Sequence, residues 1–406
     1  MIDTATIVLI DSNSKKYYDI IKERDTDKGT WPCYIDKHQK EQGIIYKAIH
    51  KQIQGRPTSY VVLATLSFRK LLDDANSITL ATEQDYPRIE ERLEDLLKQE
   101  KMPTLSHWQA SRIDFSYNLH TPYVSLYLKL LKRGILPRYY RDLYNPETEK
   151  YKQREGSLYL VAESRDKIDE QTGERKTGPK CINIYSKYDE LLSKGVTDQE
   201  LLEQAKDVLR LEVQTFAPRL RAIKKRDCLP DMSLQSFFRN EIAVGEIALM
   251  VKKIMGVDAD YYAKPQALKL IKAKKKMHQT TKTKLEKVVK HLSEDKRKDA
   301  WTLGSYAAKN KKEWQSCIHA FKDVNVNPIV INKRDSVGIP DKMLKSPLRL
   351  FLDASLDDIL EREEKMQEDI ETMPEEEIFC VPHEIGEEID SLFYEEYLNL
   401  LQESED

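Results

Sequence analysis

The sequence predicts an α+β protein: an antiparallel-rich sheet with helices packed on one face, then a helical domain, then an acidic tail. Three observations predict it. Four segments between residues 111 and 214 alternate polar and apolar residues, the mark of strands with one buried face. Beyond residue 235 the apolar spacing turns helical. Residues 351–406 hold 21 Asp and Glu against only Arg362 and Lys365, a local net charge of −19. The whole chain carries −3, so residues 1–350 carry +16.

Taken in order, residues 1–110 mix short strands and helices. Ala5-Thr6-Ile7-Val8-Leu9 and Tyr60-Val61-Val62-Leu63-Ala64 read as strands. Pro87 to Lys98 reads as a helix, with Ile89, Leu93, Leu96 and Leu97 at helical spacing. The chain starts directly on a strand, so no signal peptide is expected.

The four alternating segments follow. In Ser111–Leu119, Ile113, Phe115, Tyr117 and Leu119 share one face, and Arg112, Asp114, Ser116 and Asn118 the other. In Ser157–Ala162 the apolar face is Leu158, Leu160 and Ala162. In Ile182–Lys187 it is Ile182 and Ile184, which leaves Asn183, Tyr185 and Lys187 opposite. In Leu209–Gln214 it is Leu209, Leu211 and Val213, which leaves Arg210, Glu212 and Gln214 opposite. The second and third segments form a hairpin across a polar link, 166–180. Helices are expected over Pro122–Gly134, with Thr121 as cap and Pro122 at its first position, and over Asp189–Ala205, broken at Gly195.

Residues 236–256 read as an amphipathic helix, and 264–291 hold ten lysines, among them Lys274, Lys275 and Lys276. Thr280–Leu292, Ser305–Ala308 and Lys312–Lys322 then give helices joined by turns, an arrangement that fits a helix-turn-helix or winged-helix unit or an ordinary bundle. The expected domains are 1–235, 236–345 and a flexible tail, 346–406. No internal repeat is visible.

Composition excludes several classes. No stretch approaches the roughly 20 apolar residues of a membrane helix. The cysteines at 33, 181, 228, 317 and 380 include no CxxC pair, which argues against a disulfide framework or a zinc site and fits a reducing cytoplasm. Gly173-Glu174-Arg175-Lys176-Thr177-Gly178 has the glycine spacing of a phosphate loop, but Pro179 stands where its lysine must be. A basic body suits a polyanionic partner, and the acidic tail is either a competitor for that surface or a solubilising segment.

One constellation could carry chemistry: Asp114, Tyr185, Lys187 and Glu212 on the polar face of neighbouring strands. Two carboxylates on one surface can hold a hard divalent cation such as Mg²⁺ or Mn²⁺. A phenol ionises near pH 10 and is a poor nucleophile until a cation favours its phenolate. Periodicity alone leaves Tyr159 and Tyr188 as equal rivals of Tyr185.

The blocks Ser111-Arg112-Ile113-Asp114, Ser164-Arg165, Tyr185-Ser186-Lys187-Tyr188-Asp189-Glu190-Leu191 and Leu209-Arg210-Leu211-Glu212 occur in an order that resembles the gene II/X replication proteins of filamentous phages and related plasmids. Met1-Ile2-Asp3-Thr4, Ser67–Leu72, the basic run Arg219–Arg226 and Ala308–Pro328 extend the resemblance over about 1–330. The link 166–180 and the acidic tail depart from the phage pattern and suggest a plasmid or mobile-element relative. The resemblance implies a rolling-circle initiator with a nicking domain, which cuts one strand at an origin and joins the 5′ phosphate to tyrosine. It selects Tyr185 as nucleophile, with Lys187 and Glu190 in the same block and Asp114 and Glu212 as metal-binding carboxylates. DNA contacts are expected from Arg112, Arg165, Arg210, Arg219, Arg221, Lys224, Lys225, Lys274, Lys275 and Lys276. The implied partners are double-stranded origin DNA, single-stranded DNA, a host helicase and the replisome, with no membrane. The alternatives are an origin-binding regulator that does not cut, and a mobilisation relaxase.

Overall fold

A computed structural model describes residues 1–25, 33–51, 59–72, 78–142, 157–168, 175–294 and 301–350. The acidic tail expected over 346–406 lies outside them from residue 351 onward.

The first half of the sheet is β1 (Ile2–Leu9), α1 (Ser14–Glu23), β2 (Cys33–Asp36), β3 (Ile44–Lys51), β4 (Ser59–Ser67), α2 (Phe68–Leu71) and α3 (Tyr86–Gln99). The second half is β5 (Trp108–His120), α4 (Val124–Lys132), β6 (Tyr140–Asp142), β7 (Ser157–Ile168), β8 (Arg175–Ser186), α5 (Lys187–Ser193), α6 (Gln199–Ala205), β9 (Val208–Phe216) and α7 (Ala217–Arg226). All nine strands join one antiparallel sheet in the order β2-β3-β4-β1-β5-β9-β8-β7-β6.

That order contains a repeat of winding that no sequence periodicity announces. Each half runs strand, helix, then an antiparallel meander that returns to pair with the half's first strand, β4 on β1 and β9 on β5. A helix follows at once, α2 after β4 and α7 after β9. The halves meet at the antiparallel β1–β5 pair. In the second half β6 is added at the edge, and α5–α6 occupy the place of the β3–β4 connection.

The alternation read from the sequence sets the faces. Register aligns Ile113, Phe115 and Tyr117 with Thr215, Val213 and Leu211, and these with Lys180, Ile182 and Ile184. Helices α1, α4 and α7 pack on the sheet together with α9 (Asn240–Met255), which follows the short α8 (Leu234–Phe237). The helix expected at 122–134 starts later, at Val124, because the Thr121 hydroxyl closes a turn on the Tyr123 amide. The hairpin is longer than expected: β7 runs to Ile168 and β8 begins at Arg175, inside the segment read as a polar link.

Helix α9 was expected to be amphipathic, with a polar side for solvent. It is buried over most of its length, because it lies against β5 and β9 and against the turn at Pro347–Leu350. Its Glu246, with no exposed surface, accepts hydrogen bonds from Lys180 Nζ (2.7 Å), Arg219 Nε and Nη2 (3.1 and 2.6 Å) and Arg226 Nη1 (2.7 Å). Burial alone would raise this carboxyl, but Arg219, Lys180 and Arg226 hold it well below the usual range.

The last part comprises β10 (Tyr261–Tyr262), α10 (Lys264–Ala273), α11 (Gln279–Glu294), α12 (Thr302–Lys309), α13 (Lys311–Val324) and β11 (Met343–Leu344), with β10 paired to β11. The helices expected near 280–292 and 312–322 are present, and the short one at 305–308 is longer. This part is fixed to the sheet layer end to end. The last carbonyls of α4, at Lys132, Arg133 and Gly134, accept from the amides of Trp301, Leu303 and Gly304 at the start of α12. Unpaired groups of one helix terminus thus satisfy those of another. A Cβ on Gly134 would lie 2.1 Å from the Ile254 carbonyl, so only glycine lets α4 and α9 meet there.

Removing one member of a buried ion cluster leaves the others uncompensated, at about 3–5 kcal/mol. Glu246→Ala is therefore expected to lose that order of stability in urea unfolding, and more than Glu203→Ala, whose ion pair with Lys206 is exposed. Equal losses would show that the buried cluster is not a stabilising contact.

Candidate active site on the second face of the sheet

The face turned away from α9 carries the polar row. Register places Arg112, Asp114, Ser116 and Asn118 of β5 opposite Phe216, Gln214, Glu212 and Arg210 of β9. Gln214, Glu212 and Arg210 lie in turn opposite Cys181, Asn183 and Tyr185 of β8. Such a face was expected to be open to water, yet Asp114 is 3% exposed, Glu212 7% and Arg210 0%. Its polar groups must therefore satisfy one another.

Arg210 is the hub. Its Nε donates to Asn118 Oδ1 at 2.6 Å, its Nη2 donates to the Ile78 carbonyl at 2.9 Å, and its Nη1 lies 3.4 Å from Asp3. Asp3 was not among the expected site residues. It reaches this face because β1 carries one extra residue between the pairs Ile2–Phe115 and Ala5–Ile113. The bulge turns Asp3 and Thr4 to the same side, where the Thr4 hydroxyl donates to Asp114. Strict period-2 alternation sets Asp3 and Thr4 on opposite sides and cannot see the bulge.

Tyr185 donates its hydroxyl to Glu212 Oε2 at 3.4 Å, and Gln214 Nε2 donates to Glu212 Oε1 at 3.1 Å. Burial, then the Glu212 charge, pushes the phenol well above its ordinary value, while Arg210 opposes the shift. Glu212 is pushed up to about 7 by burial, then by Asp114 and Asp3.

Lys187 does not stand where it was expected. The strand ends at Ser186, whose side chain caps the next helix by accepting from the Asp189 amide, so Lys187 opens α5 instead of continuing the polar face. Its ammonium pairs with Glu190 at 2.9 Å, and Glu190 also pairs with Lys194. Burial and then Arg210 lower Lys187, against Glu190. The cation directly opposite Tyr185 is Arg210. Of the rival tyrosines, Tyr188 packs into the apolar cluster of Ile78, Leu191, Leu202, Ala205 and Val208. Tyr159 shares the second face but stands opposite Asn183, two strands away from Glu212 with β8 between them.

The expected metal pair is only half available. Both Asp114 oxygens are engaged, by the Arg112 guanidinium and the Thr4 hydroxyl. Among the described residues no group of three or more His, Cys, Asp or Glu is placed to hold a metal ion. The face does offer hard oxygen donors: the Glu212 carboxylate, and the Ser116 Oγ and Asn183 Oδ1 atoms, buried without a hydrogen-bond partner. Each is an oxygen of the kind Mg²⁺ and Mn²⁺ take, but Ser116 and Asn183 stand on the strands either side of Glu212.

The expected DNA-binding residues divide. Arg210 and Arg219 are interior, held by Asn118 and Asp3 and by Glu246, so neither presents its guanidinium to a phosphate backbone. Arg112 is committed to Asp114. Arg221 and Lys224 are half-buried and Lys225 exposed on α7, across the sheet from Tyr185, since Arg219 shares Glu246 with Lys180. Lys274 donates to the Asp323 carbonyl, while Lys275 and Lys276 are exposed between α10 and α11. Arg165 lies in β7, beyond the side chains described.

No family model matches the chain, and no curated protein or solved structure matches it. No helix among the described residues is long and apolar enough to cross a membrane.

The raised Glu212 has a consequence for stability. Burial and the neighbouring carboxylates push the folded carboxyl up to about 7 from its ordinary value of 4.5. Folding therefore loses stability as pH rises from 4.5 to 7, by on the order of 3 kcal/mol in full. In chelator, Glu212→Gln should match wild type at pH 4.5 and exceed it by up to that amount at pH 8 in urea unfolding. A difference independent of pH would mean that Glu212 is ionised throughout.

Proposed function

We propose that the protein nicks one strand of DNA through Tyr185 and initiates rolling-circle replication. The observation that carries this reading is the Tyr185 hydroxyl held on the Glu212 carboxylate, with the Arg210 guanidinium across the strand pair. The hydrogen bond fixes the direction of the phenol oxygen, and Glu212 Oε2 is the acceptor at hand for its proton. Arg210 offsets the negative charge that develops on the oxygen.

In the reaction the tyrosine oxygen bonds to phosphorus and the bond from phosphorus to the 3′ oxygen breaks. The 3′ oxygen leaves with the proton that tyrosine gave up, and the 5′ phosphate stays on the protein. The phosphotyrosyl bond conserves the energy of the broken linkage, so attack by a 3′ hydroxyl rejoins the strand. When bound, Mg²⁺ or Mn²⁺ supplies positive charge to the phosphodiester and the leaving oxygen. The basic segment 264–291, with Lys275 and Lys276 exposed, supports binding of double-stranded origin DNA and the displaced single strand. A host helicase and replisome would extend the nicked strand.

Incubation of supercoiled origin plasmid with the protein and Mn²⁺ is expected to yield nicked circles carrying covalent protein. Tyr185→Phe should reduce the adduct at least 10³-fold, about 4 kcal/mol of transition-state stabilisation, while Tyr159→Phe retains it. An undiminished adduct in Tyr185→Phe, read by mass spectrometry of the nucleotide-linked peptide, would remove Tyr185 from the reaction.

A second reading, origin binding without cleavage, is favoured by the burial of Tyr185, which is 9% exposed. It shares the lysine segment and differs in yielding no nick with any metal. In both readings Lys275→Gln with Lys276→Gln should weaken DNA binding at every sequence and make the slope of log affinity against log salt about 2 less steep. An unchanged slope in a filter-binding titration would place the phosphate contacts elsewhere.

A further inference from the structure

We propose that the acidic segment 351–406 lies on the lysine surface of α10 and α11 and shields it until a more highly charged polyanion displaces it. The competition with DNA rests on the reading of that surface as a DNA contact; the intramolecular contact itself does not.

Charge decides where the segment goes. Residues 351–406 carry −19 and residues 1–350 carry +16. Residues 264–294 hold ten lysines against Glu286 and Glu294, a net of +8 and so half of that excess. Elsewhere positive charge is met internally: Lys180, Arg219 and Arg226 by Glu246, Arg112 by Asp114 and Arg210 by Asp3. On α10 and α11 the Glu286 carboxylate serves Lys272 and Lys290, at 4.0 and 3.8 Å, and Glu313 of α13 serves Lys287 at 3.4 Å. Lys269, Lys275, Lys276 and Lys284 are exposed and form no ion pair among the described residues. They are the cations that a carboxylate from outside this unit meets first.

The point of attachment favours the same surface. β10 leads through Ala263 into α10, and β11 leads into the turn at Pro347–Leu350. The two strands pair, and Arg349 Nη1 lies 3.3 Å from Asp260, just before β10. Residue 351 therefore follows a turn that stands beside the root of α10. That helix, Lys264–Ala273, is about 15 Å long, and roughly ten extended residues span twice that distance. A single exposed ion pair is weak, but a tether raises the effective concentration of every carboxylate on it.

Charge density sets the order of displacement. The 21 carboxylates of these 56 residues amount to about one per 9 Å of extended chain. Duplex DNA carries one charge per about 1.7 Å of its axis. A duplex therefore displaces the segment, with a loss of apparent affinity that bears most on contacts made through lysine alone.

The test is zero-length cross-linking of the full-length protein at low salt with a water-soluble carbodiimide, which joins lysines only to carboxylates in contact, mapped by mass spectrometry. Cross-links from 351–406 are expected to concentrate on Lys269, Lys275, Lys276 and Lys284, and to be lost when a short random-sequence duplex is added in excess. A full-length variant with Glu363→Gln, Glu364→Gln, Glu368→Gln, Glu375→Gln, Glu376→Gln and Glu377→Gln is expected to bind that duplex about tenfold more tightly at low salt, the gap closing as salt screens both contacts. Cross-links spread as often over Lys15, Lys16 and Lys129 overturn the proposal, as do cross-links unmoved by saturating duplex or equal affinities of the two proteins. Cross-links on the four lysines in a protein that binds no duplex, with or without the substitutions, keep the intramolecular contact and remove the DNA reading of that surface. Duplex binding with evenly spread cross-links does the reverse.

Discussion

A guanidinium without solvent contact organises the second face of the sheet. Arg210 lies in a strand buried on both sides, and its charge is met by Asn118, the Ile78 carbonyl and Asp3. An unpaired charge there would be prohibitively costly. Each partner arrives from a different place in the chain: β5, the segment before α3, and the bulged start of β1. The bulge, the β5–β9 register and the position of Ile78 are thus mutually dependent. Tyr185 inherits its surroundings from this arrangement, because it is the register partner of Arg210 on β8.

Much of this was legible in the sequence. Alternation in β5, β7, β8 and β9 assigned the two faces correctly and put Asp114, Tyr185 and Glu212 on one of them. What it could not assign was solvent. Alternation reports a difference between faces, and a polar face satisfied within itself looks the same as one facing water. The repeat of winding was invisible because it is a property of strand order. Lys187 was misplaced by one position, the point where a strand becomes a helix through the capping hydroxyl of Ser186. Asp3 was hidden by a bulge, which alters parity without altering composition.

The basic run Arg219–Arg226 shows a different limit. A sequence counts charges but does not say which pair with each other. Arg219 and Arg226 converge with Lys180 on a single buried glutamate, joining α7, α9 and β8. Part of the positive excess of residues 1–350 is therefore spent inside the helical layer and is not offered to a polyanion. The remaining excess lies more with the lysines around α10 and α11. That unit is joined to the sheet layer by the backbone hydrogen bonds between the end of α4 and the start of α12.

The charge balance of the polar row explains why Glu212 differs from its neighbours. Three carboxylates, Asp3, Asp114 and Glu212, face two guanidiniums, Arg112 and Arg210. Arg112 closes on Asp114 and Arg210 on Asp3. Glu212 is left with neutral hydrogen-bond donors, Tyr185 and Gln214. Its charge is therefore the uncompensated one, and burial makes that expensive. Such a group relieves the excess by taking a proton, which is why it is pushed up to about 7. That proton ends on the carboxylate that holds the Tyr185 hydroxyl, so the charge state of this one residue governs the phenol's surroundings.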